Sequence, residues 1–238
     1  MINTGVMNTV VDFPVDYQSE MVAEAGGDSL RAIQKSRNRG RAIQIMGDGA
    51  AKLVGQLVRS GRVKAAIGMG GGGGTFIALR AMQEIPFGLP KLCLTTLAAK
   101  DLSRQVGAKD ITLMSSVVDV AGLNSMLMPL IEQAAAAICA MANIIPSPRH
   151  ESAGRIAVSM FGNTTACVEQ CTQRLTQQGY EVMAFHANGV GGRTMESLIG
   201  DGCFDAVLDI TTTELADELC GGICSAGPDR LLAAATMN

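Results

Sequence analysis

Short apolar runs alternate along the chain with segments whose apolar positions recur every three to four residues. The first pattern is typical of buried strands, and the second is typical of helices packed on a sheet. Strands are predicted at residues 6–12, 65–69, 91–97, 111–114, 155–161, 181–186 and 206–210. Helices are predicted at residues 47–60, 75–84, 124–141, 164–178, 193–199 and 212–219. This alternation predicts parallel sheets with helices on both faces.

The clearest break in the alternation lies at residues 144–154, a segment with two prolines and a glycine. Such composition is typical of a linker. We therefore expect two α/β units of similar kind, a first subdomain over residues 1–147 and a second over residues 148–238.

Composition and charge narrow the functional classes. The chain is 47% hydrophobic and 17% charged with a net charge of −3, so it is expected to be packed and not to bind nucleic acid. Its longest apolar stretch, residues 134–142, is too short to span a bilayer, and no membrane association is expected. The chain has seven cysteines, an odd number, and does not resemble a small disulfide-rich secreted protein, so free thiols in a reducing cytoplasm are expected. Free thiols are favoured over a zinc site, and no metal site is predicted.

Five consecutive glycines follow the strand predicted at residues 65–69: Gly70, Gly71, Gly72, Gly73 and Gly74. Without Cβ atoms, their N–H groups can converge on an anion, and the following helix adds its positive end. Thr75 can cap that helix or donate its hydroxyl to a phosphate. The P-loop lysine and the ribose-binding acid of NAD sites are absent, which argues against both classes. The run predicts a phosphate site, with a tight turn of packing glycines as the structural alternative.

A second glycine cluster follows the strand predicted at residues 181–186 and consists of Gly189, Gly191 and Gly192, with Arg193 next to them. The planar guanidinium of Arg193 suits phosphate or carboxylate, and a solvated first-turn arginine is the alternative. Two glycine loops, one in each unit, could then face each other across a cleft.

Hydroxyl groups mark a third place, at the end of the strand predicted at residues 206–210: Thr211, Thr212 and Thr213. Thr211 and Glu214 have the spacing of a capping box, which favours a structural role, while the other hydroxyls lie at the ligand-binding edge of the predicted sheet. Asp209 is a candidate metal ligand or base, and His186 is the best acid–base candidate. A strand-end cap and a structural histidine are the respective alternatives.

Several long segments resemble the ATP-binding family of the tomato mosaic resistance protein. They are residues 67–75, 110–124, 189–198, 209–219 and 225–231, and the similarity covers nearly the whole chain. The resemblance implies an α/β fold of two Rossmann-like, three-layer subdomains, ATP held between glycine-rich loops, and dimerisation. It carries the nucleotide role onto residues 70–75, 189–193 and 211–213. Family members have an extra strand–helix unit before the segment matching residues 3–12 and continue beyond residue 230, so the resemblance also implies that this chain lacks both.

Taken with the glycine loops, the resemblance predicts a nucleotide-binding protein that prefers ATP and forms a homodimer. The cysteine content favours a cytoplasmic location. An accompanying Mg²⁺ ion is left open. One alternative is an enzyme that acts on a phosphorylated or carboxylated metabolite through Arg193, His186 and Asp209, with ATP as co-substrate or regulator. The other is a module that binds a partner protein, which the sequence does not identify.

Overall fold

The computed structural model describes residues 1–7, 13–145 and 151–236. Residues 8–12 of the strand predicted at residues 6–12, and residues 146–150 of the linker predicted at residues 144–154, lie outside this part of the chain. The chain folds as two compact units. The first comprises Met1–Val106 and Asp110–Ile145, and the second comprises Gly107–Lys109 and Pro146–Asn238.

The first unit has a parallel sheet in the order β1-β2-β3. Its strands are β1 (Ala66–Gly70), β2 (Lys91–Thr95) and β3 (Ile111–Ser115). Its helices are α1 (Ser19–Ala25), α2 (Leu30–Ser36), α3 (Arg39–Arg59), α4 (Gly72–Met82), α5 (Ser103–Val106) and α6 (Leu127–Ala142). Gly70 pairs with Thr95 and Thr95 with Ser115, so the three carboxyl ends lie at one edge of the sheet.

The amino-terminal helices were missed or shortened by the sequence prediction. Helix α3 begins well before residue 47, because the Asn38 side chain accepts a hydrogen bond from the Arg41 N–H group and caps it. Ser29 caps α2 in the same way through the Ala32 N–H group. A prediction based on apolar spacing misses this region, because its helices begin with polar capping residues and, in α3, with a glycine at position 40.

The second unit has a parallel sheet in the order β5-β4-β6. Its strands are β4 (Arg155–Met160), β5 (Glu181–His186) and β6 (Ala206–Leu208). Its helices are α7 (Thr165–Gln177), α8 (Val190–Gly200), α9 (Thr213–Cys220) and α10 (Leu232–Thr236), with a 3₁₀ turn at Gly162–Thr164. Because β4 lies between the strands that follow it, the chain crosses the sheet between β5 and β6.

Both sheets are covered by helices on their two faces. In the first unit, Cys93 of β2 packs with Leu79 of α4, while Leu92 packs on the opposite face with Ala134 of α6. Every residue of β2 is buried, as expected for a central parallel strand. In the second unit, β4 packs against α7 on one face and α8 on the other. The predicted α/β class with parallel sheets is confirmed.

Candidate functional site

The glycine run of the first unit connects β1 directly to α4. Strand β1 ends at Gly70, and α4 begins at Gly72, three residues earlier than the predicted start at Thr75. Gly72, Gly73 and Gly74 therefore form the first turn of the helix. The N–H groups of these three glycines have no hydrogen-bond acceptor within the helix, because no helical carbonyl precedes them by one turn. The same N–H groups lie at the positive end of the helix dipole. We call Gly71, Gly72, Gly73 and Gly74 the glycine turn.

Packing explains only part of the glycine run. A Cβ atom on Gly70 would lie 2.8 Å from the Gly74 Cα, one on Gly74 would lie 3.2 Å from the Met69 carbonyl oxygen, and one on Gly73 would lie 3.1 Å from the Ile43 Cδ1. A Cβ on Gly72 would meet nothing within 4 Å.

Gly71 also has room for a side chain. A Cβ there would lie 3.8 Å from the Thr96 Oγ1, an ordinary contact, and Gly71 has a φ of −76°. Gly72 is helical and does not belong to the residues with positive φ. Neither packing nor backbone conformation therefore requires glycine at these two positions.

Thr75, a predicted phosphate ligand, uses its hydroxyl inside the protein. Its side chain is fully buried, and its Oγ1 lies 2.6 Å from the Thr95 Oγ1 and donates to the Gly70 carbonyl oxygen at 3.2 Å. These bonds join the ends of β1 and β2 to α4. A contact of Thr75 with a nucleotide stays a prediction.

The second glycine loop already holds an anion, the carboxylate of Glu214. Glu214 is 1% exposed, and its Oε1 accepts hydrogen bonds from the N–H groups of Gly189 (2.7 Å) and Gly192 (3.0 Å). A Cβ on Gly192 would lie 2.0 Å from the Glu214 Oε2, and one on Gly191 would lie 2.0 Å from the His186 carbonyl oxygen. Gly189 has a φ of +89°, which favours glycine. The fold itself therefore requires all three glycines.

The capping box predicted for Thr211 and Glu214 does not form. Helix α9 begins at Thr213, and its N-cap residue Thr212 makes no capping hydrogen bond with its side chain. The Glu214 carboxylate instead crosses to the first turn of α8, as described above. Thr212 is exposed and Thr213 half-buried at the carboxyl edge of the sheet.

Arg230, which the residue patterns did not single out, lies at the centre of a buried ion cluster. It is 5% exposed, and its Nε donates to the Glu214 Oε2 at 2.8 Å, while its Nη1 donates to the Glu196 Oε1 at 2.8 Å. Its Nη2 donates to the Asp209 Oδ1 at 3.0 Å. The Asp209 Oδ2 lies 2.6 Å from Nη1, as a close ion pair outside hydrogen-bond geometry. Burial lowers the pKa of Arg230, but its hydrogen bonds to Asp209 and Glu214 have the larger combined effect and raise it. The pKa of Arg230 therefore lies above its ordinary value.

Asp209 and Thr211 tie the end of β6 to the end of β4. The Ser159 hydroxyl donates to the Asp209 Oδ1 at 2.6 Å, and the Thr211 N–H group donates to the Ser159 Oγ at 2.9 Å. The Thr211 Oγ1 lies 2.8 Å from the Thr164 Oγ1. The candidate base Asp209 is thus held by a hydroxyl and a guanidinium.

The other two candidates for catalysis are exposed. The His186 ring stacks on the Phe161 ring with centroids 5.2 Å apart. The Arg193 Nη1 donates to the Ser225 carbonyl oxygen at 3.1 Å. Catalytic roles for His186 and Asp209 stay predictions.

Two sequence profiles of one family together span almost the entire chain. The N-terminal domain of an uncharacterised protein family, UPF0261, matches residues 1–147, and the C-terminal domain of the same family matches residues 153–238. The chain belongs to the UPF0261 family.

Relatives from bacteria and a plant agree with this assignment. A UPF0261 protein of Clostridium tetani is 40% identical over 237 residues, which cover 100% of this chain and 58% of the relative. A UPF0261 protein of Rhizobium meliloti is 42% identical over 91% of this chain and 53% of its own length. The ToMV resistance protein Tm-1(GCR237) of Solanum lycopersicum is 37% identical over 81% of this chain and 26% of its own length. This UPF0261 chain thus spans about half the length of the bacterial relatives it matches, and the predicted resemblance to the tomato protein is confirmed.

Metal-binding groups and membrane-spanning helices were sought in the part of this UPF0261 chain that the structure describes. Within residues 1–7, 13–145 and 151–236, no three histidine, cysteine, aspartate or glutamate side chains are grouped so that they could hold a metal ion. None of the helices in the same residues is both long and apolar enough to cross a bilayer. Homodimer formation, an accompanying Mg²⁺ ion and a cytoplasmic location stay predictions.

Proposed function

We propose that this UPF0261 chain binds ATP, with the phosphates held by the backbone of the glycine turn in the first unit. The observation that carries the proposal is the absence of side chains at Gly71 and Gly72, where packing and backbone conformation leave room for them. Gly72 lies in the first turn of α4, where a glycine costs stability relative to alanine, so an unneeded glycine there favours a role in ligand contact. Close approach of a phosphate to the backbone is such a role.

The chemistry of this place suits an anion. The N–H groups of Gly72, Gly73 and Gly74 point out of the first turn of α4, and the helix dipole adds roughly half a positive charge there. Parallel α/β sheets bind ligands at the carboxyl ends of their strands, and the glycine turn lies at that edge. The resemblance noted from the sequence supports ATP as the nucleotide.

We place the phosphates in the first unit rather than at the second glycine loop. Gly189 and Gly192 already donate to the buried carboxylate of Glu214, so a phosphate there would have to displace it and leave Arg230 with one partner fewer. We also infer that each unit is a Rossmann-like subdomain, because its parallel strands carry helices on both faces.

Titration of ATP against the wild type and a Gly72→Glu variant tests the proposal. The new carboxylate would project into the open space beside the N–H groups and repel phosphate, so we expect the Kd for ATP to rise at least about tenfold, or 1.4 kcal/mol. A glutamate in the first turn of a helix is stabilising by about 0.3–1 kcal/mol, so the variant should remain folded.

The matched control is Gly200→Glu, at the last residue of α8. A Cβ on Gly200 would also meet nothing within 4 Å, so the same charge is added without a clash. This variant should bind ATP like the wild type. Equal ATP affinity in Gly72→Glu and wild type, or no ATP binding by the wild type, would refute the proposal.

A further inference from the structure

We infer that the groove between α3 and α4 is the subsite for the adenine base of the nucleotide. This inference rests on the proposed phosphate site at the glycine turn. The groove has a volume of about 530 Å³, within the range of small-molecule pockets. Its walls include Ile43, Gln44, Gly47, Asp48, Phe76 and Arg80.

Ile43, one of the groove's wall residues, lies next to the glycine turn. The Ile43 side chain lies so close to Gly73 that a Cβ there would be 3.1 Å from its Cδ1. Phe76 is on the same helix as Gly72, about 6 Å further along the axis at 1.5 Å per residue. A nucleotide with its phosphates on the turn can therefore place its base against Phe76, whose side chain is 42% exposed.

Gly47, in the middle of α3, forms part of the groove and is not required by the fold. A Cβ there would contact the Arg80 Cγ at 3.5 Å, an ordinary distance, so alanine would fit. Gly49 on the same helix differs, because a Cβ on it would lie 1.9 Å from the Val22 carbonyl oxygen. Helix stability favours alanine over glycine at position 47, so the glycine is best explained by the space it leaves in the groove.

The chemistry of the walls fits a planar base with polar edges. Phe76 offers a ring for stacking, and Ile43 offers an apolar contact. Gln44 is exposed, and no described residue forms a hydrogen bond with its side-chain amide. That amide can donate and accept at once, which matches the edge of adenine. Arg80 and Asp48, paired at 3.1 Å, also line the groove.

The test compares ATP with inorganic tripolyphosphate, which has the phosphates and no base. Calorimetric titrations of both are made on the full chain and on two variants, Phe76→Leu and Gly47→Ala. For Phe76→Leu we expect the Kd of ATP to rise about tenfold, as for the loss of one base–aromatic stacking contact. For Gly47→Ala we expect a rise of about threefold or more, because the added methyl group takes up space in the groove beside Arg80. The Kd of tripolyphosphate should stay within about twofold in both.

Two controls separate binding from folding. Phe87→Leu changes an exposed ring in the loop before β2, at the opposite edge of the sheet, and should leave both affinities unchanged. Gly47→Ala should melt at the wild-type temperature or above, whereas a glycine needed for packing would give a lower one.

The outcomes distinguish this subsite from the phosphate site. If tripolyphosphate binds to the wild type and neither variant weakens ATP selectively, the base subsite is refuted while the phosphate site stands. If neither ATP nor tripolyphosphate binds to the wild type, both are refuted. Selective loss of ATP in both variants supports the adenine subsite.

Discussion

Glu214 joins the first turn of α8 to Arg230 inside the second unit. Its carboxylate accepts from Gly189 and Gly192 and pairs with Arg230, all in a site that is almost fully buried. Removing one partner of a buried ion cluster leaves the other charges unsatisfied, which costs about 3–5 kcal/mol.

We therefore expect Glu214→Gln to lower the free energy of unfolding by about 3 kcal/mol. The amide is nearly the same size as the carboxylate, but it turns a donor toward Arg230 or toward the glycine N–H groups. Urea unfolding of the full chain measures the change. Glu169→Gln, on an exposed position of α7, is the control and should stay within about 0.5 kcal/mol of the wild type. If Glu214→Gln is as stable as this control, the buried ion cluster around Arg230 does not stabilise the protein as we expect.

Cys93 lies in the middle of β2, and its reactivity tests whether the hydrophobic core of the first unit is packed as described. The residue is fully buried, and burial raises the pKa of its thiol to about 11 from 9.0. The thiolate is the reactive form, so Cys93 should resist alkylation at pH 8 while the exposed Cys139, Cys167 and Cys220 react. Mass spectrometry after alkylation of folded and of urea-unfolded protein shows which thiols are modified.

The raised pKa of Cys93 also fixes the sign of a pH effect. Between pH 9 and 11 the unfolded thiol loses its proton while the folded one keeps it, so the unfolded state binds fewer protons. The free energy of unfolding should therefore fall as the pH rises through this range, and a Cys93→Ala variant should lose that part of the slope. Rapid alkylation of Cys93 at pH 8 in the folded protein would contradict the buried position.

At the scale of helices and strands, the sequence pattern predicted most of the architecture. Strands β1 to β6 were all predicted to within about three residues, because a buried parallel strand is a short apolar run ended by glycine or polar residues. The starts of α4 and α8 were placed too late, at Thr75 and Arg193 rather than Gly72 and Val190. Glycine weakens a helix in isolation, but packing on the preceding strand outweighs that local preference here.

The candidate site was predictable only where its chemistry is local. The position of the glycine run follows from consecutive residues, whereas the role of Glu214 depends on contacts 22 and 25 residues away in the chain. Thr211 and Glu214 have capping-box spacing, yet the carboxylate finds the N–H groups of another helix. Which glycines are needed for packing, and which are not, also depends on neighbours such as Ile43 that no local pattern identifies.

At the scale of the whole molecule, the two proposals place the complete nucleotide site in the first unit. The glycine turn, the base groove and three of the hydrophobic core clusters all belong to it. The resemblance noted from the sequence instead implies ATP held between loops of both units. The two arrangements therefore predict different ATP affinities for the isolated first unit.

We expect a chain of residues 1–147 to fold and to bind ATP within about threefold of the full-length Kd, because its cores are formed within the unit. Circular dichroism and thermal melting establish folding, and calorimetric titration measures the affinity. A chain of residues 148–238 should show no ATP binding, because Glu214 occupies its glycine loop. If the folded first unit fails to bind ATP while the full chain binds it, the phosphate-binding backbone must be completed by the second unit, and the placement of the nucleotide in the first unit alone is wrong.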